Sequence, residues 1–192
     1  VEDFPDDSFQ NPSSRQKWEE LFPHVISLVN KKNASNKIQL QYALLLDLAG
    51  NYVHGRARYA EAEPLLTRAL KIREQQLEEA HPDVATSLNN LAMLFKTQGK
   101  YDKAEPLFTK ALKINEQQLD ENDPKVATSL NNLAILYKHR GKYNEAEPLY
   151  IRALQIREQQ FGEEHLHVAK SLNDLAMLYN SQGKIDEAET LL

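Results

Sequence analysis

The stretch Val84-Ala85-Thr86-Ser87-Leu88-Asn89-Asn90-Leu91-Ala92 recurs without change at residues 126–134. Around these two copies, residues 81–122 and 123–164 align without a gap and agree at 26 of 42 positions. Self-similarity at a fixed period of this length is typical of an array in which every unit is one supersecondary element. Weaker copies precede and follow the two clear ones. The predicted repeats are residues 39–80, 81–122, 123–164 and 165–192, the last of them truncated.

Each repeat predicts two helices. Apolar residues recur at i, i+4, i+7, i+8 and i+11 from Val84 to Phe95, which makes one stripe on a helix of 100° per residue. Gly99 should end this first helix. The second helix is expected to start with a capping box, Asp102-x-x-Glu105, in which Asp102 is the N-cap. Because one helix pair cannot bury its own apolar stripe, the pattern predicts an all-α solenoid of stacked antiparallel pairs.

The boundaries between repeats carry their own signals. Asp123-Pro124 is expected to supply the N-cap and the first residue of the next helix. In the earliest copy, the spacing from Leu48-Ala49 to Tyr59 is longer by one position than the spacing from Leu91-Ala92 to Tyr101. This difference predicts that one residue is inserted near positions 55–57.

The repeat resembles the tetratricopeptide repeat (TPR). The family pattern of large, small, aromatic and glycine positions is met by Leu88, Leu91, Ala92, Phe95, Gly99, Tyr101, Ala104, Phe108 and Ala111. The 42-residue period, with S-L-N-N-L-A, G-K-Y and A-L-x-I, resembles kinesin light chain rather than the usual 34-residue form. This resemblance implies a right-handed TPR superhelix that acts as a non-catalytic scaffold for a protein or peptide partner. The same subtype recurs in bacterial multidomain proteins, so we expect a bacterial source.

Residues 1–38 are predicted to form an N-terminal cap or linker with an amphipathic helix ahead of the array at 39–192. The segment from Trp18 to His24 resembles the one that precedes TPR sensors in bacterial signalling ATPases of the STAND (NB-ARC) type. This resemblance implies an alternative function, a ligand-sensing module whose ATPase part is missing here. A simpler interpretation, compatible with the first, is a capping helix in which Trp18 and Phe22 cover the first repeat. Because the chain starts at Val1 without Met, we interpret it as a piece of a longer protein.

The face of each first helix opposite the apolar stripe is the candidate binding site. It consists of Thr86, Asn89, Met93 and Lys96, then Thr128, Asn131, Ile135 and Lys138, and finally Lys170, Asn173, Met177 and Asn180. In the TPR family this face lines the concave groove. Asparagine can both donate to and accept from a peptide backbone, methionine and isoleucine add apolar contact, and lysine attracts acidic residues. The expected partner is therefore an extended peptide with acidic and apolar side chains.

Two qualifications apply to this groove. The same face could instead be solvated, with Asn–Asn hydrogen bonds between neighbouring repeats. In the first repeat, the predicted insertion places only apolar residues or glycine at the matching positions, which are Ala43, Leu46, Gly50 and Val53.

Composition excludes several function classes. The chain has 28 acidic and 23 basic residues and a net charge of −5, which gives no electrostatic footprint for nucleic acid. It has no Cys, so disulfides and thiolate sites are excluded, and a reducing, cytoplasmic location is expected. No apolar run is long enough for a membrane helix. We therefore expect no nucleic-acid or membrane partner.

The sequence contains no convincing motif for catalysis, for a cofactor or for a metal ion. The segment from Gly50 to Ala57 lacks the Lys and Ser/Thr of a phosphate-binding loop. His165 and His167 are separated by a single residue, which on a helix would point them in different directions. We expect no cofactor, no metal ion and no enzymatic activity.

The end of the chain suggests one further partner. The last predicted helix starts near Asp186 and the sequence stops at Leu192. This short helix should leave Leu175, Ala176 and Tyr179 uncovered, and exposed apolar patches promote association. The sequence thus predicts possible self-association through the C-terminal end.

Overall fold

A computed structural model describes residues 36–191 of the chain. This part contains eight helices and no strand, which confirms the all-α class. The helices are α1 (Asn36–Gly55), α2 (Tyr59–Gln76), α3 (Pro82–Thr97), α4 (Tyr101–Gln118), α5 (Pro124–His139), α6 (Tyr143–Phe161), α7 (Leu166–Gln182) and α8 (Ile185–Glu189). The expectations for the cap around Trp18 and Phe22 lie outside the described residues.

The first compact unit ends at Glu79, and its described part is the pair α1 and α2. Small residues at the crossing bring the two helices close, with Ala43, Ala49 and Ala69 wholly buried beside Leu46. The unit also buries an ion pair, in which Arg73 donates to Asp47. Because each charge would be costly without the other, this pair ties the end of α2 to the middle of α1.

The second unit begins at Ala80 and contains α3 to α8. Consecutive helices pack against each other, and the first helices α3, α5 and α7 also contact one another in turn. The core runs on from pair to pair: Ala134 of α5, Tyr150 of α6 and Leu175 of α7 lie in one buried cluster. Each pair therefore covers the apolar face of its neighbour, as the repeat pattern predicts.

The predicted helix ends are confirmed. Gly99 and Gly141 follow the ends of α3 and α5, and both adopt a φ of 72°, a left-handed conformation that favours glycine. Asp123 is the N-cap of α5, and its Oδ1 accepts a 2.7 Å hydrogen bond from the Lys125 backbone N–H.

The predicted capping boxes of the second helices are wrong. α4 begins at Tyr101 with Lys100 as N-cap, and no side chain caps it. Glu105 instead reaches the next repeat, where it accepts from Arg140 Nη1 at 2.5 Å and from Lys142 Nζ at 3.4 Å. The glutamate of this motif therefore joins neighbouring helix pairs rather than closing its own helix.

The same connection recurs one repeat later. Glu147 accepts from Tyr179, Gln182 and Lys184 at 3.2 to 3.3 Å. The Lys184 ammonium also lies 5.0 Å from the Tyr179 ring centroid, a cation–π contact. Burial acts to raise the pKa of Glu147, but these donors outweigh it and the net pKa is lowered.

The predicted insertion in the first repeat is wrong as well. α1 ends at Gly55 and α2 begins at Tyr59, and each of these positions lies one full repeat period before the matching position of α3 or α4. Ala57 has a φ of 58° and lies one period before Gly99, which has the same left-handed conformation. The copies therefore match at a constant spacing, and the likeness of Leu48-Ala49 to Leu91-Ala92 gives a false register.

This register moves the predicted apolar face residues of repeat one into the core. Ala43, Leu46 and Val53 are wholly buried, and Gly50 takes the place of the small residue Ala92. A Cβ atom at Gly50 would lie 2.6 Å from Leu66 Cδ2, so any larger residue would force the buried Leu66 side chain to shift. The residues of α1 that match the first-helix positions Thr86, Asn89, Met93 and Lys96 are Leu44, Asp47, Asn51 and His54.

The C-terminal end is better covered than the sequence predicts. α8 packs on α7 and buries Ala188, while Leu175 is 3% and Ala176 is 1% exposed. The expected exposure of these two residues is therefore wrong. Leu175 lies in the buried cluster with Ala134 and Tyr150, and Leu191 packs against that cluster. Tyr179 is half-buried.

The corrected register makes a testable prediction at Ala57. An alanine in the left-handed region is strained, so Ala57→Gly should raise the free energy of unfolding by about 1 kcal/mol. The matched change Gly99→Ala should lower it by a similar amount, since a Cβ there meets open space and only backbone strain is added. Urea unfolding curves would measure both changes. An unchanged midpoint for both variants would contradict the register.

Candidate binding face of the second unit

The twelve predicted site residues all lie on α3, α5 and α7, the three first helices of the second unit. We call this set the first-helix face. Exposure differs along it: Asn89, Met93 and Lys96 are half-buried on α3, whereas Asn173, Met177 and Asn180 are exposed on α7. Thr86 and Thr128 are exposed, but their hydroxyls donate to the backbone oxygens of Pro82 and Pro124 in their own helices. The α3 and α5 end of the face is therefore the more enclosed one.

A buried polar contact joins α3, α4 and α5. The Ser129 hydroxyl accepts from Asn89 Nδ2 at 3.1 Å and from Asn115 Nδ2 at 2.9 Å. Ser129 is wholly buried, so these bonds satisfy a group that water cannot reach. The alternative expectation of Asn–Asn bonds between repeats is wrong at Asn89, because its partner in the next repeat is a serine.

The next pair of repeats uses different residues for the same purpose. Asn131 is 8% exposed and donates from Nδ2 to Asp174 Oδ2 at 3.1 Å. Arg157, which occupies the position of Asn115 one repeat later, donates to the buried Ser171 hydroxyl. Neither Asp174 nor Arg157 is a predicted site residue. The one available signal is the change of S-L-N-N-L-A to S-L-N-D-L-A at residue 174.

These contacts engage only the Nδ2 amide group of each of the two asparagines on the first-helix face. The Oδ1 atoms of Asn89 and Asn131 are buried and accept no hydrogen bond from residues 36–191. A buried carbonyl oxygen without a donor is costly. The face therefore holds two buried acceptors, one on α3 and one on α5, that the described residues leave without a donor.

The face also carries a cluster of cationic side chains at the ends of α3 and α5. Burial lowers the pKa of Lys96, the Lys138 charge lowers it further, and Asp174 partly offsets both effects. The pKa of His139 is lowered by burial and by the charges of the same two lysines. Among the described residues, neither Lys96 nor Lys138 has a carboxylate within salt-bridge distance. Lys96 and Lys138 therefore form a partly desolvated positive region, with His139 beside them.

Asp174 opposes this region from α7. Its charge raises the pKa values of Lys96 and Arg157, although burial lowers both on balance. Burial, with Asp174 as a further cause, also raises the pKa of Tyr150 well above its ordinary value. The Tyr150 hydroxyl is buried without a hydrogen-bond partner within the described range. The Asp174 carboxylate therefore interacts with side chains of α3, α5 and α6.

His165 and His167 do not point apart as the sequence predicts. His165 precedes α7 as its N-cap rather than lying within the helix, and the two ring centroids are 5.0 Å apart. Within residues 36–191, His, Asp and Glu do not gather in any group of three or more that could hold a metal ion. None of the described helices combines the length and apolarity that a membrane crossing requires.

The sequence model of the tetratricopeptide repeat family matches residues 40–117 and 125–192. The chain belongs to the TPR family. The TPR fold is typical of scaffolds for protein–protein interaction, and this is the functional class that the fold suggests for the chain. No curated protein shows significant similarity to the sequence.

Solved structures of other TPR-like proteins are similar to this chain. BtubC (BKLC) from P. vanneervenii is 25% identical with a TM-score of 0.78, and the match covers 95% of this chain and 72% of BtubC. A "putative kinesin light chain" from Podosopora anserina with nearly identical TPR-like repeats is 23% identical, also with a TM-score of 0.78, and the match covers 95% and 85% of the two chains. The resemblance to kinesin light chain therefore extends from the repeat motif to the fold.

A third similar structure has a different activity. Aspartyl phosphate phosphatase F from Bacillus subtilis is 17% identical with a TM-score of 0.71, and the match covers 93% of this chain but 45% of the phosphatase. At this identity the likeness concerns the fold alone.

The bond between Asn131 and Asp174 makes a prediction about stability. Asn131→Ala removes a buried donor to a carboxylate, so it should lower the free energy of unfolding by about 1–3 kcal/mol. The matched control is Asn173→Ala at the same position of the next repeat, because Asn173 is exposed. This change should stay within about 0.5 kcal/mol of the parent. Equal losses in the two variants, measured by urea unfolding, would show that the bond contributes nothing.

Proposed function

We propose that this chain is a non-catalytic scaffold that binds an extended peptide or protein segment along the first-helix face, in the manner expected of kinesin-light-chain-like repeats. The observation that carries this proposal is the pair Lys96 and Lys138. Two ammonium groups are held close enough to lower the pKa of Lys96, in partly desolvated positions and without carboxylate partners in the described part of the chain. Such an arrangement is unfavourable for the isolated protein and favourable once an anion is present.

The charge of the face supports an acidic partner. The chain as a whole carries a net charge of −5, yet the twelve residues of the first-helix face include three lysines and no acidic residue. The nearby Asp174 is itself surrounded by Lys96, Arg157 and the Asn131 amide. A carboxylate of the partner would meet Lys96 and Lys138, with His139 beside them.

The uncharged residues support an extended backbone. The Oδ1 atoms of Asn89 and Asn131 are buried without a donor in the described part of the chain, so they could accept from backbone N–H groups of a ligand once these side chains turn outward. Met93 and Ile135 lie between the asparagine and lysine of their helices, and Met177 is 41% exposed on α7. These side chains would contact apolar residues that alternate with the acidic ones.

A charge-reversal experiment tests this proposal. Binders should first be selected from a library of random peptides, and we expect them to be rich in Asp, Glu and apolar residues. The double variant Lys96→Glu with Lys138→Glu should then weaken binding of such a peptide at least ten-fold, or about 1.4 kcal/mol. Isothermal titration calorimetry at low and high salt would measure the loss. It should shrink as salt is added.

Lys113→Glu is the matched control, because Lys113 is an exposed lysine on the second helix α4. It should change the affinity less than two-fold. A selected peptide that binds both variants as well as the parent would show that its site lies elsewhere. Lys96 and Lys138 are preferable to Asn89 and Asn131 for this test, since both asparagines also hold neighbouring helices together.

Two other expectations stay predictions. The sensor role in a STAND-type ATPase rests on the segment from Trp18 to His24, which lies outside the described residues. Self-association through the C-terminal end also stays a prediction, although Leu175 and Ala176 of the expected apolar patch are buried. The location in the cytoplasm is also a proposal, drawn from the absence of Cys.

A further inference from the structure

The first helix of the last repeat carries an acidic residue where the two repeats before it carry an uncharged one. Asp174 on α7 lies one repeat period after Asn132 on α5, which itself lies one period after Asn90 on α3. All three residues are half-buried. The position therefore accommodates an amide of the same shape, and the negative charge at Asp174 is particular to this repeat among the three.

The Asp174 carboxylate lies beside the first-helix face at a fixed place. Its Oδ2 accepts a 3.1 Å hydrogen bond from Nδ2 of Asn131, which belongs to the face and is 8% exposed. A buried hydrogen bond has one satisfied geometry, so this contact holds the negative charge between α5 and α7. A fully exposed carboxylate would instead be screened by solvent and salt.

Two cations interact with this carboxylate at longer range. The Asp174 charge acts to raise the pKa values of Lys96 on α3 and Arg157 on α6, against the lowering effect of burial. Within residues 36–191, neither cation comes within salt-bridge distance of Asp174, and Arg157 donates to the Ser171 hydroxyl instead. No direct ionic partner neutralises the carboxylate, so its charge also acts on an anion that lies at Lys96 and Lys138.

A ligand anion at Lys96 and Lys138 is attracted by two ammonium groups and repelled by Asp174. Both effects grow in proportion to the charge of the ligand, whereas the free energy of desolvating an ion grows with the square of its charge in the Born description. A phosphate monoester carries a charge of about −1.5 to −2 at neutral pH, and a carboxylate carries one negative charge. Because Asp174 weakens the net attraction, the steeper desolvation cost counts more heavily against the phosphate.

We propose that Asp174 is a specificity-determining residue, which makes this site favour a glutamate or aspartate side chain of the partner over a phosphorylated one. The partner class is thus an unphosphorylated acidic segment. This inference rests on the proposed function, because it concerns which anion the first-helix face takes.

Asp174→Asn tests the inference, since it removes the charge and keeps an oxygen that can accept from Asn131. One selected acidic peptide should be synthesised with glutamate and with phosphoserine at the position where glutamine costs the most affinity. Isothermal titration calorimetry at pH 7.5 should show that the parent protein binds the glutamate form at least as tightly as the phosphoserine form. In the variant, affinity should rise about three-fold for the glutamate form and about nine-fold for the phosphoserine form, because doubling the ligand charge squares the electrostatic factor.

Two further variants separate this effect from net charge and from folding. Asp186→Asn makes the same chemical change at an exposed position of α8, and it should alter both affinities less than two-fold. Asp174→Ser removes the same charge as Asp174→Asn, keeps a hydroxyl acceptor and should reproduce the shift in preference toward phosphoserine. A parent protein that prefers the phosphoserine form, or equal gains for the two peptides in both variants of Asp174, would overturn the proposal.

The titration of Lys96 gives a readout that needs no ligand. Since the Asp174 charge raises the pKa of Lys96, the pKa measured by NMR from the lysine side-chain shifts should fall in Asp174→Asn and stay unchanged in Asp186→Asn. If Lys96→Glu with Lys138→Glu abolishes binding but the pKa of Lys96 does not fall in Asp174→Asn, the inference is overturned and the proposed function stands. Undiminished binding of the glutamate peptide by that double variant would overturn both.

Discussion

The Ser129 hydroxyl, buried between two repeats, is the contact on which the second unit most depends. It receives hydrogen bonds from Asn89 and Asn115, one from each helix of the preceding pair. Apolar stacking brings successive pairs together, but it is non-directional and tolerates sliding. A buried polar contact has one satisfied geometry, so it fixes how α5 docks on α3 and α4. The spacing of α3 and α5 in the first-helix face depends on this contact, because Asn89 belongs to both the contact and the face.

Period and hydrophobic stripes are enough to predict the helices, their pairing and the family, because these depend on a pattern that every repeat shares. The glycine ends and the Asp123 cap follow for the same reason. The wrong predictions arise where one sequence motif is compatible with two different contacts or two alignments of the repeats. Glu105 has the spacing of a capping box but bonds to Arg140 and Lys142 of the next repeat, a contact that no local pattern reveals. Leu48-Ala49 copies a dipeptide of another repeat, and only burial shows that Gly50 fills the small position.

The sequence predicts where the residues of the candidate site lie, but it does not predict their hydrogen bonds or electrostatic interactions. Helical periodicity places all twelve residues on the first helices, yet it cannot separate asparagines that hold repeats together from residues free to bind. The structure shows that Asn89 and Asn131 each engage one amide nitrogen in the fold and leave one oxygen unused. It also identifies Asp174, whose influence on Lys96, Tyr150 and Arg157 depends on distances across three helices.

The most direct test of the binding face is an NMR titration of the isotopically labelled chain with a selected acidic peptide. If the peptide lies on the first-helix face, the largest shift changes should fall on α3, α5 and α7, with the Lys96 and Lys138 ammonium groups and the Asn89 and Asn131 side-chain amides among them. Changes confined to the second helices α4 and α6, with these four side chains unaffected, would contradict the account.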